Sequence, residues 1–283
     1  MVTDLQGAMS VRRIVSILPR LFLVAWGLVA WASGPRPDAD TIVRRSVEAF
    51  SRDWQKASEY DYFERDLVNN GTRTYRVMMI LGSPYSRLTA VNGVAIPPRE
   101  EQEEERKFRN TIAKRCGESK RQREERIRTY ERDRAHDHQL IAELTNAFVF
   151  QMAAGETVDG HATWLLQSSP RPGYRPPNEE ARVLTGMEGK LWIDQATFEW
   201  VKVEARVVRP VSMEGFLATV EPGTEFKLVR APGPGGTWVN THFLVTARAT
   251  ILSLFPHHTH ENETYFDYRN SGSAGTPACP VKP

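Results

Sequence analysis

Apolar and polar positions along this chain follow two periods. Between residues 40 and 57, Val43, Val47, Phe50 and Trp54 recur every three or four residues, with Arg44, Arg45, Arg52 and Asp53 off that stripe. This spacing predicts an amphipathic helix that hides one face, with Asp38 or Asp40 placed to cap its start. From Tyr60 the period shifts towards two. Residues 60–68 alternate, the run Asn69-Asn70-Gly71-Thr72 turns the chain, and 74–81 return as a strand, which is hairpin chemistry. Residues 86–91 and 94–96, joined by Asn92-Gly93, predict a second and shorter hairpin.

The pattern changes at Pro97-Pro98. Residues 99–138 are dominated by Glu, Arg and Lys, with only Phe108, Ile112, Ile127 and Tyr130 as large apolar positions. The pairs Glu103/Lys107, Glu105/Arg109 and Glu124/Arg128 place acid before base at i,i+4, each stabilising a helix by ~0.3 kcal/mol. Gly117-Glu118-Ser119 divides the segment into two helices. Acids and bases interleave along it, so it reads as a solvated helical projection, a charged insertion over 99–145, and not as a nucleic-acid site.

Strand period returns at Phe148. Residues 148–152 and 162–166 alternate; a proline-rich loop covers 169–177; a short helix is predicted near 179–184. The segment 191–207 reads as a hairpin turning at Gln195-Ala196-Thr197, with Val201, Val203, Ala205 and Val207 on its dry face. Residues 216–220 and 225–230 predict another hairpin around Pro222-Gly223, 238–254 a long strand, and 265–269 a closing one. The tail 271–283 has the composition of a disordered segment. Many short strands without alternating helices define a mainly β, α+β chain: a strongly curved antiparallel sheet or unclosed barrel, helices over its concave face, and the charged helical pair inserted.

The first residues are of another kind. Arg12, Arg13 and Arg20 precede the apolar run 21–32, which ends in Ala30-Trp31-Ala32. This is the layout of a cleavable secretory signal over 1–32, cut after Ala32, followed by a linker over 33–39 and a folded domain over 40–270. The run is too short for a spanning helix, which needs ~20 apolar residues. The expectation is therefore an exported protein, periplasmic and without a stable membrane anchor. The full chain carries 37 basic and 35 acidic residues; loss of the signal leaves 34 of each. A neutral mature chain gives no electrostatic reason for nucleic-acid binding.

Candidate chemistry is sparse. Cys116 and Cys279 are the two cysteines. In an oxidising compartment they either pair, tying the tail to the charged segment, or remain thiols. His258 and His260 would share a strand face and could reach one metal, or they sit in a polar loop; without a further ligand group at telling spacing, no metal and no cofactor is assigned. GxSxG, HExxH, Walker and GxGxxG patterns are missing from the sequence, so the reading is non-catalytic. The aromatic and aliphatic residues of the β portion either pack as ordinary core or line an apolar cavity. The candidate lining residues are Trp164, Leu166, Leu191, Ile193, Val201, Val203, Phe216, Phe226, Phe243 and Val245.

The order of motifs carries a resemblance. An N-terminal helix, YDYFERDLVNNGTRTYRV, RLTAVNGVAI, a charged helical stretch, FVFQMAAGETVDGHATWLLQSSPRPGYRP, GKLWIDQATFEWVKVEA and a closing YFDYRN follow one another between 40 and 270. The sequence resembles bacterial outer-membrane lipoprotein-sorting protein-like proteins of the LolA/LolB/RseB superfamily, most in Gly189-Lys190-Leu191-Trp192-Ile193-Asp194. The resemblance implies an unclosed antiparallel barrel with helices over its mouth, whose cavity receives acyl chains of lipoproteins or other lipids in the periplasm. The chain departs from that pattern in its longer charged helices and in having no lipid-anchor Cys. No family residue role is carried over. The expected function is a carrier for a lipid or lipoprotein acyl chain; the alternative is an envelope interaction or sensor module docking a partner protein through its charged helices.

Overall fold

The structure is a computed structural model and describes residues 36–68, 71–213, 218–251, 255–271 and 279, so the expected signal over 1–32, most of the tail expected to be disordered, and Phe216 lie outside the described residues. The first element is helix α1 (Ala39–Lys56), capped by Asp38, whose carboxylate accepts from the Thr41 N–H at 2.7 Å. Strands β1 (Tyr60–Val68), β2 (Gly71–Ile80), β3 (Ser83–Val91) and β4 (Val94–Ala95) follow as a meander. Three helices come next: α2 (Pro98–Cys116), α3 (Lys120–Ala142) and α4 (Leu144–Ala147). The remainder is strand: β5 (Phe148–Ala153), β6 (Thr157–Val158), β7 (His161–Pro170), β8 (Met187–Asp194), β9 (Trp200–Val207), β10 (Val211–Met213), β11 (Ala218–Val220), β12 (Glu225–Pro232), β13 (Trp238–Ile251) and β14 (Phe255–Asn270). A short 3-10 helix, Glu180–Gly186, precedes β8 where the sequence predicts a short helix.

One antiparallel sheet contains nearly all of them, in the order β4-β3-β2-β1-β14-β13-β12-β9-β8-β7-β5. The pairing of β1 with β14 joins the two ends of the chain; β4 and β5 are left as edges, so hydrogen bonds do not close the barrel. Helices α2 to α4 are the chain's passage from one edge to the other.

A sheet with one apolar face must cover it. Here α1 does so. Ile42 and Val43 pack with Phe148, Phe150, Trp164, Leu166, Leu191, Ile193, Trp200, Val203 and Leu228 in one core. The buried side of α1 also carries Ser46 and Asp53, polar groups that its apolar stripe does not reveal. Both are satisfied. Ser46 accepts from the Trp200 indole N–H at 2.9 Å. Asp53 accepts from the Trp238 N–H at 2.9 Å and from Arg230 at 3.1 Å, while Arg230 also reaches Glu199 at 2.9 Å and the Trp238 carbonyl at 2.7 Å. Arg230 lies 4.6 Å from the Phe50 ring centroid, which completes the clamp of α1 onto β9, β12 and β13.

The charged helices are anchored along one edge, as a narrow apolar face requires. Arg115 donates to the carbonyls of Ile80, Ser83 and Pro84 at 2.7, 2.8 and 2.9 Å, and Arg126 bridges Glu118 and the Ser83 hydroxyl. The β2–β3 turn beneath them needs Gly82, which has φ of 91° and whose Cβ would stand 2.7 Å from Ile127. Cys116 is bonded to Cys279, Cα–Cα 5.4 Å, tying the end of α2 to the segment after β14.

Two expectations differ from the structure. The predicted 216–230 hairpin does not form: β11 pairs with β10 and with the far half of β13, and β12 pairs with β9 and the near half of β13. β13 is long enough to take two partners in succession along one edge. Val201 is not on the face of Val203. A bulge opposite Trp192 and Ile193 places an extra residue in β9, so Trp200 and Val203 enter the core while Val201 joins Trp192 and Trp238 in a small cluster on the other face.

Replacing only Arg230 leaves two buried carboxylates without their cation. Arg230→Ala is expected to cost ~3–5 kcal/mol in urea denaturation, whereas Arg128→Ala, at an exposed pair with Glu125, should cost under ~1 kcal/mol.

Candidate functional site

Cross-strand register assigns the concave face. The ladder Met152, Leu166, Leu191, Val203, Leu228, Phe243, Glu263 and Asp66 runs across it, and beside it run Phe150, Ser168, Gly189, Ala205, Phe226, Val245 and Glu261. The first ladder from Met152 to Leu228, and Phe150 of the second, belong to or pack against the core that α1 joins. Trp164, Leu166, Leu191, Ile193 and Val203 are buried there as packed core, with Leu166 and Ile193 at 0% exposure. Phe226 and Phe243 sit at the border of that core, half-buried and edge-to-face at 5.4 Å, and Val245 continues their row outwards. Three of the ten lining candidates therefore meet at the rim of the filled half; five are in the core, Val201 is on the opposite face, and Phe216 is outside the described residues.

Past that rim the concave face becomes polar. Tyr62, Glu64 and Asp66 alternate on β1, and the register sets Glu64 beside Tyr265 and Asp66 beside Glu263. Tyr62 stacks on Tyr268 at 5.1 Å and meets Tyr265 edge-on at 5.8 Å. The Tyr265 hydroxyl donates to Glu263. Carboxylate oxygens of Glu64, Asp66 and Glu263 all lie within 4.8 Å of one another. Burial, then the neighbouring Asp66 and Glu263 charges, raises Glu64 from its ordinary 4.5 to about 7. Asp66 is raised as well, by burial first and Glu263 second. Burial also pushes the Tyr62 and Tyr268 hydroxyls up. The arrangement holds a proton among three acids; it is a hydrogen-bonding patch beside an apolar rim. Nothing in the sequence singles these residues out, because their nearness depends on the pairing of β1 with β14 across the whole chain.

A groove of about 780 Å³ runs beside the second ladder, touching Ser168, Gly189, Ala205 and Phe226. Its side chains include the row Gln151, Gln167, Lys190, Glu204 and Lys227, which alternates with the concave ladders and so faces outwards. Alternating charges in this row make it a solvated surface. The histidines also belong to a strand and not to a loop: His258 pairs with Arg248, and His260 pairs with Thr246 and contacts its hydroxyl at 3.1 Å. A cation as the direct partner of His258 disfavours a metal there.

The fold and this geometry define a class: an unclosed, curled antiparallel sheet with one helix packed into part of its concave face. No family model and no curated protein matches the sequence. Among solved structures, an outer membrane lipoprotein-sorting protein domain assigned in Vibrio parahaemolyticus aligns over 80% of this chain and 92% of its own, at 10% identity and a TM-score of 0.29. A DUF1329 family protein from Desulfovibrio piger ATCC 29098 aligns over 82% and 94%, at 10% identity and a TM-score of 0.26. No residue role is transferred from either. Among the described residues no helix is long and apolar enough to cross a membrane.

Glu64 supplies a test. Folded, it keeps its proton up to about pH 7; unfolded, it releases it near 4.5. The folded state therefore holds the extra proton between those values, and stability falls as pH rises through that window. Glu64→Gln should be more stable than the parent at and above pH 7, the difference shrinking towards pH 4.5. Parallel melting curves of the two proteins across pH would reject this assignment if their difference did not change.

Proposed function

We propose that this protein is an exported carrier that holds an acyl chain of a lipid or lipoprotein against the unfilled part of its concave face, without catalysis, in the periplasm. The observation that carries this reading is the rim of Phe226, Phe243 and Val245, half-buried where the α1-filled core ends. An apolar chain laid along that rim leaves water, a gain of ~0.8 kcal/mol for each buried CH₂. The adjoining carboxyl and tyrosine hydroxyl groups would hydrogen-bond its polar end. The leader-like residues 1–32 and the resemblance of motif order to the lipoprotein-sorting proteins support the compartment and the ligand class.

The charged helices support the alternative of partner docking less well. Their ion pairs are mostly internal, such as Arg109 with Glu105 and Lys107 with Glu104, which leaves little single-signed surface for a partner.

The carrier reading is tested by titrating the mature protein with the fluorescent fatty acid cis-parinaric acid. Saturable binding is expected, with Phe243→Ser weakening it about tenfold or more through lost apolar contact. Leu166→Ala, deep in the core, should lower the melting temperature instead. Absence of saturable binding, or equal binding by Phe243→Ser, would contradict the carrier role.

A further inference from the structure

The two longest strands run past β12 and β1. The pairing of β12 with β13 ends at Glu225 and Thr246, and that of β1 with β14 at Asp66 and Glu263. Beyond them β13 and β14 continue together; β11, itself paired with β10, borders β13 from Ala249 to Ile251, while no strand among the described residues pairs with the outer side of β14 there. From Asn262 to Phe255 this β13–β14 ribbon extends about 25 Å at the usual rise per residue.

Its end is apolar and exposed. Ile251 and Phe255, the outermost described pair, are 41% and 61% exposed. The stem differs in charge from the rest of the chain. From Trp238 to His260 the sequence contains no Asp or Glu, while Arg248, His257, His258 and His260 stand behind the tip. Among the described residues, Glu261 lies further down β14, and Glu221 accepts from the Thr250 hydroxyl at 3.0 Å. One face of the ribbon is also continuous with the rim: Phe243, Val245, Ala247, Ala249 and Ile251 alternate along β13 on the same side.

We infer that the ribbon tip docks on a lipid bilayer. Ile251 and Phe255 enter the interface, and Arg248 with the histidines behind it meets anionic headgroups. The strip from Ile251 to Phe243 then connects the bilayer to the rim. That last connection rests on the carrier reading; the docking itself does not. A bilayer fits this surface better than a protein partner does. Ile251 and Phe255 lie exposed at the end of β13 and β14, Arg248 and the histidines lie one step behind them, and both strands contain no acid from Trp238 to His260.

The test is flotation of the mature protein with vesicles of phosphatidylethanolamine and phosphatidylglycerol. The parent protein should float with them. Phe255→Ser and Ile251→Ser together should reduce binding about tenfold or more, whereas Val94→Ser, which removes an exposed apolar side chain on β4, should not. Near-ultraviolet circular dichroism and melting curves check that the ribbon variants remain folded. cis-Parinaric acid binding is measured on the same proteins. A ribbon variant that keeps the probe and loses the vesicles supports docking, and failure of the parent to bind the probe while still floating would reject only the carrier reading. Docking is overturned if the parent does not float, if the ribbon variants float equally, or if the substitutions abolish self-association with no effect on vesicles, which would make the tip a contact between copies.

Discussion

The need to cover the apolar face of a single curled sheet governs this molecule. An antiparallel sheet that is wet on one side cannot leave its other side open without cost. Helix α1, with the Glu180–Gly186 helix and the end of α3, meets that need over β5, β7, β8, β9 and part of β12. It is held by Arg230, which binds Asp53 of the helix and Glu199 of the sheet in the same buried clamp. Where α1 ends, the sheet continues through β13, β14, β1 and β2, and its concave side changes from packed aliphatic residues to half-buried phenylalanines and then to tyrosines and acids. The face thus divides into a packed aliphatic half and a half of phenylalanines, tyrosines and acids.

The helical pair follows from the same constraint. The sheet has two edges, β4 and β5, and the chain must travel from one to the other. It does so as α2 and α3, whose outward faces stay in water and whose inward contacts are few and specific. Arg115 and Arg126 cap the carbonyls of the β2–β3 turn, His138 stacks on Trp54 at 4.5 Å, and the disulfide ties α2 to the end of the chain. Closing a loop of 163 residues restricts the unfolded chain, worth roughly 5 kcal/mol in the entropic account. Long charged helices with narrow apolar faces gain from such a tether.

Much of the architecture was legible from period alone. The α1 helix, the 60–80 hairpin, the break at Gly117 to Ser119 and the curled antiparallel class all follow from local patterns, because capping, turn chemistry and alternation act over a few residues. The misreadings have non-local causes. Val201 changes face because of one bulge, and a single extra residue inverts alternation from there on. The 216–230 hairpin yields to a longer strand that offers both segments a better edge. For the candidate site, Phe226, Phe243 and Val245 were visible as apolar strand positions, but core and rim have the same composition, and only the extent of α1 separates them. The Glu64, Asp66 and Glu263 patch and the Asp53, Glu199 and Arg230 clamp join residues about 200 positions or fewer apart in sequence, and acidic residues on strands are most often just solvated.

The central claim is that the unfilled half of the concave face exists to hold an acyl chain. Native mass spectrometry of the mature protein, purified gently from its own cell envelope, tests it most directly. The account predicts a bound mass in the range of a lipid or acylated peptide, released on mild activation and lost in Phe243→Ser. A parent protein that carries no such mass, with its rim closed over by its own side chains in an experimental structure, would contradict it.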